Sequence, residues 1–359
     1  EGKNAVLLLF SLVFYGWGEP KYLAVMLVCT ALGYGFGLAL GRAGRPGVRK
    51  ALLAASVLSS LSFLVYFKYA DFFLSNFNAL AGASLPLLQL TLPVGISFYT
   101  FQALSYVIDV YRGTVAAQKN PITFGTYIAL FPQLIAGPIV QYKTVEEQLS
   151  HRRETTAQFA AGIGRFTIGL GKKVLIANQV GALWDTVAAL PGTSLSAGTA
   201  WLGAIAFTFQ IYFDFSGYSD MAIGLSRFFG FDFAPNFEHP YTAISVQDFW
   251  RKWHISLSRW FRDYLYIPLG GNRVDQNTYI RNIFIVWFST GLWHGANWTF
   301  IVWGIYYGGF LLLEKFFLKE KLEKLPTFIS HIYTLFVVLI GWVFFMSPSL
   351  GSAFSVIGK

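Results

Sequence analysis

The sequence predicts an all-α, polytopic integral membrane protein: roughly ten tilted spanning helices, with re-entrant and interfacial pieces between them. Three observations carry that prediction. The chain is 55% hydrophobic and only 13% charged, whereas a soluble domain carries about 25% charged residues. Aromatics reach 18% of 359 residues, with 36 Phe, 19 Tyr and 11 Trp, a profile that suits lipid as solvent. Several stretches supply the roughly 20 mainly apolar residues that a spanning helix needs. A soluble chain of this length would divide into two or three domains. A membrane bundle makes 1–359 a single domain.

In chain order, apolar runs fall near 5–17, 21–40, 51–67, 88–110, 196–213, 279–293, 297–313 and 328–346, with less clean runs near 71–90, 121–142 and 160–190. The chain opens on Glu1 with an apolar run under way by Ala5 and stops at "SVIGK", as expected of a chain shortened at both ends, with no cleavable signal peptide in view. The loop "GRAGRPGVRK" (41–50) is basic without an acidic residue and is expected in the cytoplasm; "YRGTVAAQKN" (111–120), two crossings later, agrees. The net charge of +9 therefore reads as loop asymmetry rather than as a nucleic-acid footprint. In "FPQLIAGPIVQY" (131–142), Pro132, Gly137 and Pro138 break the helix. The stretch is either re-entrant, covered by protein or water, or a helix end leading into a loop. Two polar interruptions follow, 143–157 and 232–278. The second is too long for an ordinary connection and too aromatic for disorder, so it reads as a functional interfacial or cytoplasmic segment.

That segment holds "SVQDFWRKWHISLSRWFRDYLYIPLGGNR" (245–273). On one helix over 246–265, Trp250, Trp253, Leu257, Trp260, Phe261 and Tyr264 share a face. Arg251, Ser258 and Arg262 form one flank; Lys252, Ser256, Arg259 and Asp263 form the other. The pattern is that of a basic amphipathic helix lying in the membrane interface. His254 falls at the border of the aromatic face, either as a functional group or as a rim histidine bonded to a neighbour. The cations suit phosphates, whether of lipid headgroups or of a nucleotide-bearing donor.

"GLWHGANW" (291–298) places His294 in an apolar run, where an ionisable group is a functional candidate by default. The alternative is a buried histidine satisfied by a neighbouring helix. Gly291 and Gly295 have the small-xxx-small spacing that lets helices approach closely. If the helix continues, Thr290, His294, Asn297 and Trp298 lie along one side. In "YFDFSGYSDMAIGLSRFFGF" (212–231), Asp214 and Asp220 bring carboxylates near membrane depth. Asp220 either caps a helix starting near Met221, orients a histidine, or binds a cation. In "TLPVGISFYTFQALSYVIDVYRG" (91–113), Ser105 and Asp109 share a helix face and suit helix–helix hydrogen bonds. The lone Cys29 and five scattered histidines give no disulfide framework and no metal spacing. No P-loop, nucleophile elbow or dinucleotide fingerprint is present.

Taken together and in this order, "DFSGYSDMAIG", "DFWRKWHISLSRWFRDYLYIPLGGNR" and "STGLWHGANW" resemble the membrane-bound O-acyltransferase superfamily. The resemblance is nearest to the bacterial branch that acetylates alginate and related cell-envelope exopolysaccharides. "LPVGISFYTFQALSYVIDVYRG" and "FPQLIAGPIVQY" extend it over nearly the whole chain. It implies a ring of helices around a central tunnel, with His294 as the essential membrane histidine and His254 as its upstream partner. It also implies acetyl-CoA as donor, an extracytoplasmic acetyltransferase partner protein, a polysaccharide acceptor, and a multi-pass location in the bacterial inner (cytoplasmic) membrane. No bound cofactor, metal or nucleic acid is implied.

On this basis the expected activity is O-acetyl transfer with His294 as general base. Arg251, Lys252, Arg259 and Arg262 are candidates for donor phosphates. Asn297, Asp220, Trp293 and Trp298 are candidates for supporting the histidines. A D-alanyl or lipid-directed acyltransferase is the rival within the superfamily; the "IPLGGNR" ending favours acetyl. Outside it, a proton- or ion-coupled transporter would show inverted repeats, which the sequence lacks, and a membrane scaffold would tolerate loss of both histidines.

Overall fold

A computed structural model describes residues 2–135, 137–190 and 195–359. Among them every regular element is helical. The helices are α1 (Gly2–Gly18), α2 (Leu23–Arg42), α3 (Pro46–Leu64), α4 (Ala70–Ala81), α5 (Ile96–Arg112), α6 (Pro121–Ala129), α7 (Phe131–Leu134), α8 (Tyr142–His151), α9 (Thr156–Gly171), α10 (Asn178–Ala188), α11 (Ala197–Phe228), α12 (Val246–Lys252), α13 (Ile255–Phe261), α14 (Gln276–His294), α15 (Trp298–Leu313), α16 (Lys319–Lys324), α17 (Thr327–Met346) and α18 (Leu350–Ile357).

Their starts follow ordinary cap chemistry. Pro46 and Pro121 sit at first-turn positions, where a missing N–H is harmless. Asn120, Ser245, Asp275, Asn297 and Ser349 each cap with a side-chain oxygen that accepts from the first turn, satisfying donors the helix cannot. Among the described residues, four continuous helical stretches are long and apolar enough to cross a membrane: Pro20–Arg42, Pro46–Ala81, Trp298–Lys324 and Thr327–Met346. Pro46–Ala81 leaves Leu58, Phe73 and Phe77 exposed, an apolar surface that suits lipid.

The chain forms two compact units. Glu1–Gly164 with Ala222–Phe233 makes the first, and Arg165–Met221 with Ala234–Lys359 the second. In the first, Tyr99, Tyr106, Tyr127 and Tyr142 are fully buried, and the Tyr106 ring packs on Phe124 at 4.7 Å and Tyr142 at 5.0 Å. Each buried hydroxyl needs a partner: Tyr106 accepts from the Gln118 backbone N–H at 2.9 Å, and Tyr127 donates to the Val140 carbonyl at 2.9 Å. The broken stretch after Leu130 behaves as Pro132 and Pro138 require. It makes the single turn α7 and then irregular chain up to Gln141, with Ile139, Val140 and Gln141 buried in protein; Ala136 lies outside the described residues.

The second unit is organised around aromatic rings. Trp303, Trp342 and Tyr307 are essentially inaccessible, and Trp250, Trp253 and Trp287 pack with them. Two close helix approaches shape it. A Cβ on Gly304 of α15 would stand 2.2 Å from the Trp287 carbonyl of α14, and one on Gly291 would stand 2.4 Å from the Phe300 carbonyl. Of the two small residues singled out in the sequence, Gly291 sits at a true backbone contact, whereas Gly295 faces the Phe300 ring. At the second approach, Gly169 of α9 and Gly217 of α11 each face the other's carbonyl, at 2.5 and 2.8 Å from where a Cβ would be.

Candidate active site

The site is built at the end of α14. His294 is the last residue of that helix and is half-buried. Its imidazole is walled by Trp293 at 4.9 Å, Trp303 at 4.9 Å and Phe345 at 5.3 Å between ring centroids, all near edge-on. Trp293 is buried and also packs against His254, at 5.9 Å between ring centroids. One indole thus touches both imidazoles, so they lie no farther apart than those two distances allow.

The helix does not run on past His294. Gly295 is extended and Asn297 caps α15, accepting from the Thr299 N–H at 3.1 Å and donating to the Pro348 carbonyl at 3.1 Å. The expected stripe of Thr290, His294 and Asn297 on one helix is therefore broken, because an extended glycine and a polar cap end one helix and start the next. Trp298 is half exposed. Asn297 acts on the backbone that follows the site.

His254 sits in the break between α12 and α13. The expected single helix over 246–265 is two short helices, because Trp253 is extended and His254 takes the left-handed conformation at φ 44° and ψ 53°. A left-handed non-glycine residue carries strain of order 1–3 kcal/mol and is held by its surroundings. The aromatic face was read correctly: Trp250, Trp253, Leu257, Trp260, Phe261 and Tyr264 are all buried. Trp250 and Trp253 join the aromatic core of the second unit, so protein packing covers these two rings.

His254 is 1% exposed. Its Nδ1 lies 3.2 Å from Asn236 Oδ1, and the Phe215 ring meets it edge-on at 4.7 Å. Burial pushes its pKa down from 6.5 to about 3, since a low-polarity setting disfavours the charged form.

Asp220 neither caps a helix nor touches a histidine. It lies within α11 and is ion-paired with Arg165 at 2.9 Å and Lys172 at 2.6 Å. Asp214 is paired with Lys173. The Gly169–Gly217 contact brings these charges together, since Arg165, Lys172 and Lys173 lie on or just after α9 and the two carboxylates lie on α11.

A family model described as MBOAT, membrane-bound O-acyltransferase, matches residues 116–356. The chain belongs to this family. It is 44% identical over 353 residues to the probable alginate O-acetylase of Pseudomonas aeruginosa, covering 97% of this chain and 68% of that protein. It is 36% identical over 381 residues to the peptidoglycan O-acetyltransferase of Helicobacter pylori, covering 98% and 72%. A teichoic acid D-alanyltransferase of Streptococcus thermophilus is 29% identical over 247 residues, covering 64% and 58%.

Around the site of this membrane-bound O-acyltransferase the basic residues are unequal. Arg251 and Arg262 are exposed and Arg259 is half-buried. Lys252 is ion-paired with Asp248 at 2.9 Å, and Arg262 with Asp263 at 2.9 Å. Sequence reading missed Asn236, Trp303 and Phe345. Asn236 looks like loop punctuation in "FAPNFEHP", and Trp303 and Phe345 look like ordinary apolar residues of spanning helices. Only packing reveals that they surround the two imidazoles.

Proposed function

We propose that this O-acyltransferase moves acetyl from cytoplasmic acetyl-CoA toward hydroxyls of an extracytoplasmic, alginate-like polysaccharide, with His294 as general base. The observation that carries the reading is the pair of imidazoles that pack against the one indole of Trp293, one half-buried and one fully buried. The names of the Pseudomonas and Helicobacter relatives support acetyl as the group transferred.

The chemistry asks little beyond positioning and a base. A thioester is already activated. The attacking hydroxyl gives its proton to neutral His294 as its oxygen bonds to the acetyl carbon. The C–S bond then breaks, and the imidazolium returns the proton to the departing thiolate. His254, held neutral by burial, orients the donor. Arg251, Arg259 and Arg262 take the donor phosphates, and Lys252 joins them by exchanging Asp248 for phosphate, a charge-assisted contact of the same kind. A separate extracytoplasmic acetyltransferase completes delivery, and the chain works in the bacterial cytoplasmic membrane.

Membranes containing the protein, the partner and candidate glycans, supplied with acetyl-labelled acetyl-CoA, test this. Label should reach the glycan or partner with wild type and fall to background with His294→Ala at matched expression. Equal labelling by the variant removes His294 from the chemistry. Labelling with an activated D-alanyl donor in place of acetyl-CoA moves the reading to the D-alanyl relatives.

A further inference from the structure

The turn that carries His254 is held by one side chain. Asn236 Oδ1 accepts from the Ser256 backbone N–H at 3.1 Å and from the Ser256 hydroxyl at 2.9 Å, and it lies 3.2 Å from His254 Nδ1. The Asn236 carbonyl also accepts from the Ile255 N–H at 3.0 Å. A backbone N–H can only donate, so the amide atom facing Ser256 must be the oxygen. The far end agrees, since Asn236 Nδ2 donates to Ser219 Oγ at 3.2 Å.

An oxygen with no hydrogen faces Nδ1, so Nδ1 carries the proton of a neutral imidazole. The lone pair is then on Nε2. That atom is buried and has no hydrogen-bond partner among the described residues, and Asn236 and His254 are each 1% exposed. An unmatched acceptor at that depth is costly unless something serves it during function.

We propose that Asn236 is the positioning residue that fixes His254 as its Nδ1–H tautomer, so that Nε2 offers a bare lone pair to an O–H or N–H of a bound substrate. The inference rests on reading His254 as part of the acyl-transfer site. Tautomer control by the partner of the second ring nitrogen is a general property of histidine. An amide suits the task better than a carboxylate. Asp would stabilise the imidazolium, which has no lone pair, whereas Asn orients the ring without favouring the charge. The side chains set against His254 and its clamp are Phe215 and Ser219 from α11, Ser256 from α13 and Trp293 from α14, none of which carries a charge. Asp220, for which the sequence left open a helix cap, a histidine or a cation as partner, is taken up by Arg165 and Lys172.

Nitrogen NMR of the full chain in lipid nanodiscs, with 15N-histidine and the His254 signals assigned by their loss in His254→Gln, reads the tautomer directly. At pH 7.5 wild type should show a protonated Nδ1 and a bare Nε2. Asn236→Leu should lose that preference. Asn236→Asp should keep Nδ1 protonated but protonate Nε2 as well. In the acetyl-transfer assay both variants should fall at least tenfold. Raising the pH should restore Asn236→Asp and leave Asn236→Leu low, a split that loss of a purely structural clamp would not produce. An Nε2–H form or an imidazolium in wild type overturns the proposal, as does an unchanged tautomer in Asn236→Leu. If Asn236→Leu does not fold, the wild-type spectrum and Asn236→Asp decide. Full acetyl transfer by His254→Gln sinks the underlying site reading without altering the tautomer readout, so the two failures are told apart.

Discussion

His254 and Trp293 meet with ring centroids 5.9 Å apart and planes at 61°, and the same indole meets His294 at 4.9 Å and 88°. Trp293 is thus the common wall of both imidazoles. Trp293→Ala should lower acetyl transfer at least tenfold, about 1.4 kcal/mol of transition-state stabilisation, while Trp293→Phe keeps most of it. Initial rates at matched expression decide. An alanine variant at the wild-type rate would mean that the two rings need no shared support.

The α14–α15 crossing leaves no room for a methyl group. On Gly304 it would meet the Trp287 carbonyl at 2.2 Å, and backbone cannot rotate aside. Gly304→Ala should destabilise by about 1–3 kcal/mol, the range for overpacking. Gly309 of the same helix has nothing within 4 Å of a Cβ, so Gly309→Ala should be close to neutral. Thermal unfolding in detergent compares the two, and equal midpoints would contradict the close approach.

Asp220 joins Arg165 and Lys172, with side chains 16%, 24% and 26% exposed. Asp220→Ala strands two half-buried cations. The loss should be about 1–3 kcal/mol, between the values for exposed and buried pairs. A double-mutant cycle with Lys172→Met should show coupling. Strict additivity would remove the ion pair from the account. Because Asp220 does not touch either imidazole, the rate per folded molecule should change far less than the stability does.

The buried state of His254 has a pH signature. Its folded pKa is lowered from 6.5 to about 3, so between those values the unfolded chain binds the extra proton. Stability from this group is complete above about pH 6.5 and is lost as pH falls toward 3, by up to about 1.4 kcal/mol per pH unit. His254→Gln removes the dependence. The stability advantage of wild type over His254→Gln should therefore shrink by about 1–2 kcal/mol between pH 7 and pH 5. Unfolding midpoints that run parallel with pH in the two proteins would show that the imidazole is not held neutral.

Much of the helical order was legible from apolar runs. The runs near 5–17, 21–40 and 328–346 correspond to α1, α2 and α17, because hydrocarbon-length apolar segments have few alternatives to helix. The buried face Trp250–Trp253–Leu257–Trp260–Phe261–Tyr264 was legible too, since periodicity reports which side is apolar. What covers that face was not legible, because lipid and a protein core ask for the same residues. The break at His254 was also hidden. No glycine or proline marks it, and the left-handed turn is maintained by Asn236, which lies outside both helices and accepts from the first turn of α13 at Ser256.

By itself the sequence determined an all-helical membrane protein and the membrane-bound O-acyltransferase family, and it pointed to His294 and His254 as the residues to watch. Composition and local spacing suffice for that, since solvent preference and helix period are properties of neighbouring residues. Only the tertiary structure decided that Trp293 joins the two histidines, that Asn236 rather than Asp220 holds His254, and that Asp220 serves Arg165 and Lys172. Those relationships link segments far apart in the chain. Their geometry depends on tertiary packing between those segments, and no local pattern of residues encodes it.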